Sequence, residues 1–250
     1  MRVESTGITD VGLKRDRNED AFLVNDELGL YVVADGMGGH AGGAYASELA
    51  VTTVEEAVER LVPQVQAGDA GDPVEAVREG LREAVRHAGR RIHGWAGAHP
   101  EFRGMGTTIV AIVVAANNGF VAHAGDSRAY LVRDGVIEQV TEDHSYVAQA
   151  VREGVLTEEE ARSHPQRSVI TRALGFQGDT EVDVQVMAVR RGDRFLLCSD
   201  GLSGKVEALE MAEILAAHEP SEALRQLVGL ACARGGEDNI TAVLVGVEET

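Results

Sequence analysis

Cysteine is scarce in this chain. Cys198 and Cys232 are its two copies in 250 residues, too few for a disulfide framework and in no metal-ligand spacing, so both are expected as reduced thiols without a redox role. Long apolar runs are missing too: no segment approaches the roughly 18 consecutive apolar residues of a membrane span. The N-terminal MRVESTGITD has no apolar signal region, and a cytoplasmic setting is the expectation that follows. Basic charge is short, with 23 Lys and Arg against 41 Asp and Glu and a net charge of -18. Such an excess repels nucleic acid and anionic membrane surfaces, and neither is expected as a partner. What remains, 44% hydrophobic and 26% charged, is the composition of an ordinary globular chain.

Periodicity organises the rest. Ala46, Leu49, Ala50, Val54, Ala57, Val58, Leu61 and Val62 form one stripe of an amphipathic helix over 44–62. A second helix opens at Asp72-Pro73, with Asp72 as cap and Glu75 completing a capping box, and runs to Trp95. The two read as a helical hairpin. From Gly106 to Val140 the pattern turns to apolar, β-branched runs punctuated by Asn117-Asn118-Gly119 and Asp134-Gly135, the dipeptides of tight hairpins. Turns this short force antiparallel pairing, since a parallel crossover needs a dozen or more residues. Further strands are expected in DAFLVN, GLYVVAD, EVDVQVMAV, DRFLLCSD and NITAVLVGV, and further helices near 145–153, 206–217 and 220–234. No linker or internal repeat interrupts them, so residues 1–250 read as one domain of layered sheets covered by helices. A polar insert at 141–172, with a new cap at Thr157 and Glu160, reads as a flap.

Five segments place an Asp beside Gly or Asn next to an apolar strand: Asn18-Glu19-Asp20, Asp35-Gly36, Gly125-Asp126, Asp200-Gly201 and Asp238-Asn239. Any one alone is a turn. Five whose strand ends converge would repel unless cations neutralised them, and oxygen-only ligands point to Mg²⁺ or Mn²⁺. Two decoys fall away. Residues 16–27 approach a calcium EF-hand loop but carry Ala21 where the turn requires Gly. The glycines after Asp35 resemble a dinucleotide fingerprint, yet the Asp would repel a pyrophosphate and a helical hairpin follows in place of a βαβ unit. Ser199 and Ser203 lack a nucleophile elbow, which leaves an activated water as the better nucleophile.

Six motifs then match one family. GLKRDRNED at 12–20, VVADGMGGH at 32–40, GMGTT at 104–108, GDSRAY at 125–130, LCSDGL at 197–202 and GGEDNIT at 235–241 resemble the metal-dependent protein phosphatases of type 2C, particularly small bacterial members. The resemblance runs end to end. It implies an α+β fold, an α/β/β/α sandwich of two antiparallel sheets flanked by helical pairs. It also implies a protein serine/threonine phosphatase in which a hydroxide bridging two Mn²⁺ or Mg²⁺ ions attacks phosphorus in line. Carried over residue by residue, Asp35 is similar to the carboxylate bridging both ions, with the Gly36 carbonyl on one ion and Asp200 and Asp238 on the other. Asp20 and Glu19 would bind through waters, Asp126 would hold a third, weaker ion shared with Asp200, and Arg15 matches the phosphate-binding arginine. Many relatives carry His where this chain has Met37, so the general acid does not transfer; His40 and His164 are the candidates near the site. The implied partners are phosphoprotein substrates, among them Ser/Thr kinases and their targets. Competing readings are a binding module that holds phosphoproteins without turnover and a small-molecule phosphoesterase. Intact Arg15, Asp35, Asp200 and Asp238 argue against the first.

Overall fold

A computed structural model describes residues 2–38, 42–67 and 71–248. In chain order these form β1 (Arg2–Asp10), β2 (Asp20–Asn25), β3 (Leu30–Met37), α1 (Gly42–Gln66), α2 (Pro73–Ala98), β4 (Gly106–Thr107), β5 (Ile109–Ala115), β6 (Asn118–Ala124), β7 (Arg128–Arg133) and β8 (Val136–Gln139). Then follow α3 (Tyr146–Arg152), α4 (Glu158–Ser163), β9 (Asp183–Ala188), β10 (Arg194–Cys198), α5 (Asp200–Ser203), α6 (Ala208–Ala217), α7 (Pro220–Ala233) and β11 (Ile240–Glu248). No helix among the described residues is long and apolar enough to cross a membrane.

The strands sort into two antiparallel sheets, β1-β11-β10-β7-β8 and β2-β3-β5-β6-β9, with β4 paired to β3. Strand alternation builds three apolar layers from them. Tyr31, Val33, Val110 and Ile112 of one sheet meet Phe195, Leu197, Val243 and Val245 of the other between the sheets. The alternate residues Leu30, Val32, Ile109 and Ala111 turn outward onto α1 and α2. On the far side Leu196, Ala242 and Leu244 pack on α6 and α7. This is the α/β/β/α sandwich expected, and burial on both faces explains why its central strands read as unbroken apolar runs.

The structure differs from the sequence reading in three local places. The β5–β6 hairpin turns on Ala116 and Asn117, both left-handed (φ 48° and 60°), not on Asn118-Gly119, which already pair with Ala115 and Val114. Turning earlier sets Phe120 opposite Val113, both in the helix-side core. Asp134-Gly135 does form its turn, at φ 53° and 79°. Asp72 caps α2 by accepting the Val74 amide, but Glu75 accepts from Arg78 at 2.8 Å where the sequence suggested a capping box. The sequence reading also missed β1, which runs antiparallel to β11 from Arg2↔Glu248 to Asp10↔Ile240. Six of its nine residues are polar, and Gly7 leaves the room into which the Phe22 ring packs. In the polar insert, the capping box of Thr157 and Glu160 does start α4.

Candidate metal centre

Each aspartate singled out above stands where a strand begins or ends, at one end of the sandwich. Asp20 opens β2 directly opposite Asp35 of β3. Asp200 follows β10, Asp238 precedes β11, and Asp126 lies in the crossover by which the chain leaves one sheet at Ala124 and enters the other at Arg128.

Backbone and hydroxyl bonds fix these corners. The Asp35 carbonyl accepts from the Thr108 amide at 2.9 Å and the Thr107 hydroxyl at 2.8 Å, while its own amide donates to Thr108 Oγ1. Thr108 Oγ1 is also 2.7 Å from Ser127 Oγ, beside Asp126. Ser199 donates to Asp20 Oδ2 at 2.8 Å and accepts the Thr241 amide at 3.0 Å. Gly36 is walled by backbone, since a Cβ there would strike the carbonyls of Gly43 and Glu19. The Glu19 carboxylate itself lies against Gly43 in the first turn of α1. Asn239 orders the loop that carries Arg15: its Oδ1 accepts the Glu19 amide, and its Nδ2 donates to the carbonyls of Val11 and Arg17, both at 3.0 Å. Arg15, half exposed at the rim, donates to Asp238 Oδ2 at 2.7 Å. The supporting roles of Thr107, Thr108, Ser127, Ser199 and Asn239 escaped the sequence reading, although the last three adjoin motif aspartates.

Electrostatics confirm that the acids share one volume. Burial pushes Asp20 up to about 7, offset in part by hydrogen bonds from Thr241 and Ser199 and reinforced by Asp200 and Asp238. Burial and the charges of Asp20, Asp200, Asp126 and Asp238 hold Asp35 well above the ordinary carboxylate range. Asp126 is pushed up to about 7 by burial, then by Asp200 and Asp143, and Asp200 is raised by burial and by Asp238. Asp20 Oδ1, Asp126 Oδ1 and Asp200 Oδ1 are buried with no hydrogen-bond partner among the described residues. Buried oxygens left unpaired in a ring of like charge are the donor set that a hard divalent cation satisfies, and the residues fit such an ion. His40 lies outside the described residues, and His164 ends α4 with its ring tilted against Tyr146, centroids 5.7 Å apart.

A family model described as protein phosphatase 2C matches residues 14–242. The chain belongs to the protein phosphatase 2C family. Membership makes it a metal-dependent protein serine/threonine phosphatase whose cofactor is Mn²⁺ or Mg²⁺. Among its relatives, the serine/threonine phosphatase stp of Listeria monocytogenes is 39% identical over 241 residues, covering 95% of this phosphatase and 93% of the relative. The crystal structure of the Mycobacterium tuberculosis serine/threonine phosphatase PstP superposes with a TM-score of 0.88 at 40% identity over 100% of both chains. The catalytic domain of a PstP phosphatase in complex with 2 manganese ions gives a TM-score of 0.84 at 36% identity, covering 99% of each.

Proposed function

We propose that this phosphatase hydrolyses phosphoserine and phosphothreonine at the aspartate centre and opposes Ser/Thr kinases in the cytoplasm. The observation that carries the assignment of the site is the convergence of buried, mutually repelling carboxylates, three of their oxygens unpaired, beside a half-exposed arginine. Asp35, Asp200, Asp238 and the Gly36 carbonyl would hold two Mn²⁺ or Mg²⁺ ions directly, Asp20 and Glu19 through water, and Asp126 with Asp200 a third. Such ions supply Lewis acidity and bring the pKa of coordinated water towards neutrality.

The chain's own part is positioning. Arg15 has five N–H donors and spends one on Asp238, so its planar fork is free to hold phosphoryl oxygens in line with an attacking water. The Thr107, Thr108 and Ser199 bonds keep Asp35 and Asp20 from relaxing away from the centre. Residues 141–172, with α3 and α4, would form the flap of a single domain. They share with Asp126, Asp200 and Lys205 a cleft of about 770 Å³, broad enough for the peptide around a phosphorylated residue.

Asp35→Asn and Asp238→Asn should each abolish Mn²⁺-dependent hydrolysis of p-nitrophenyl phosphate while leaving the circular dichroism spectrum intact. Full activity in either would overturn the centre. Phosphoproteomes compared with and without the enzyme would identify its substrates.

A further inference from the structure

A buried polar cluster lies where residues 141–172 join the sandwich. His123 and His144 stack with centroids 4.7 Å apart and 10° between ring planes, and both rings are enclosed. Together with Asp183 they bring potential ligand atoms within 4.8 Å of one another, a spacing that would admit a cation. The hydrogen bonds decide otherwise. His144 Nδ1 accepts the Gly125 amide proton at 3.1 Å, so the neutral ring carries its own proton on Nε2, where it donates to Asp183 Oδ2 at 3.0 Å. His123 Nε2 is taken up by the Glu142 backbone, 2.9 Å from its carbonyl oxygen and 3.3 Å from its amide nitrogen. A protonated nitrogen offers a metal no lone pair, and the Arg172 guanidinium stands 3.0 Å from His144 Nε2.

What these bonds do is bracket Asp126. His144 meets Gly125 twice, its ring accepting the Gly125 amide and its own amide donating to the Gly125 carbonyl at 2.9 Å. Asp143, the preceding residue, grips Arg128 through Nε at 2.9 Å and Nη2 at 2.7 Å. Two consecutive residues therefore clamp positions 125 and 128, on either side of Asp126 and Ser127. The loop between has no slack: Gly125 sits at φ 119°, where a Cβ would come within 2.5 Å of Thr108 Cβ. The His144 carbonyl also accepts the Thr171 amide at 2.8 Å, tying both ends of the 141–172 segment to the clamp.

We propose that His144 and Asp143 are positioning residues that hold Asp126 in reach of Asp200, and that divalent-cation binding at Asp126 depends on them. This rests on the reading of Asp126 as a cation ligand. The test compares two substitutions in the full chain. In His144→Asn the amide oxygen takes the place of Nδ1 and can still accept from Gly125. In His144→Gln the side chain reaches Asp183 but leaves Gly125 without its acceptor.

Calorimetric titration of the metal-free chain with Mn²⁺ should show the site that Asp126→Asn removes weakened about tenfold to a hundredfold in His144→Gln, and within about threefold of wild type in His144→Asn. Exchange of the Gly125 amide should accelerate in the Gln variant alone. Wild-type Mn²⁺ affinity in His144→Gln, or equal weakening in both variants, would overturn the clamp. If Asp126→Asn binds Mn²⁺ as wild type does, the reading of Asp126 itself falls, whatever the His144 variants show. Should His144→Gln not fold, Asp143→Asn carries the same question: weaker Mn²⁺ binding with an unchanged metal-free melting point supports the clamp, and unchanged binding overturns it.

Discussion

Asp20 and Asp35 face each other directly across the β2–β3 ladder, an acid opposite an acid at the buried end of a strand pair. Like charges so placed destabilise a sheet. The fold tolerates them because, without metal, burial and the neighbouring acids make both hold their protons above the ordinary carboxylate range. Asp20 and Asp126 are pushed from 3.8 up to about 7, so the folded chain binds protons that the unfolded chain has already lost. Their contribution to stability is full below about pH 4 and disappears as pH rises through about 7. The melting temperature of the metal-free chain, held in chelator, should therefore fall across that window, and saturating Mn²⁺ should flatten the fall. A metal-free melting temperature that rose from pH 5 to pH 7 would contradict this account of the acids.

The same repulsion sets stability against function at Asp35. Its carboxyl is held well above the ordinary range by burial and four neighbouring acids, so Asp35→Asn removes a charge that the metal-free fold resists. We expect that variant to melt higher than wild type in chelator, by about 2–4 °C for each kcal/mol relieved. In Mn²⁺ the order should reverse, because wild type gains binding energy that the variant lacks. Scanning calorimetry with and without Mn²⁺ reads both, and an unchanged order would remove Asp35 from the centre.

How far the sequence disclosed this arrangement follows from what each signal depends on. Helix stripes and strand runs are local, so α1, α2 and the central strands were readable with boundaries a few residues off. The five aspartates were readable because Asp beside Gly or Asn at a strand end is also a local pattern. The Asn239 bonds to Val11 and Arg17 were not, since they join residues 228 and 222 positions apart. Nor was β1, whose partner is the last strand in the chain. Asp143 and His144 look like loop residues until the crossover at Gly125 is laid beside them.

Arg15 separates phosphate binding from metal binding. It reaches Asp238 from the solvent side with one nitrogen, and lysine could keep that ion pair while losing the planar fork. Charged hydrogen bonds contribute about 1.5–3 kcal/mol each, so Arg15→Lys should lower kcat/KM about tenfold to a hundredfold. Mn²⁺ affinity, measured by calorimetry, should stay within about threefold. A variant that lost Mn²⁺ binding in proportion to activity would instead make Arg15 a structural partner of Asp238.

Ser199 carries the last prediction. It is fully buried between β10 and β11, donating to Asp20 and accepting from the Thr241 amide. Ser199→Ala removes both bonds at once. Asp20 then loses one of the two hydrogen bonds that restrain its rise, so its carboxyl should protonate at still higher pH. The buried Thr241 amide would lose its acceptor at a cost of about 1–3 kcal/mol. We expect a lower melting temperature at every pH and an activity profile whose acid limb moves upward, since a protonated Asp20 no longer helps hold the cations. Ser199→Thr keeps the hydroxyl and should restore the acid limb even where extra bulk costs stability. An acid limb that stayed fixed in Ser199→Ala would show that the hydroxyl supports the strands without tuning Asp20.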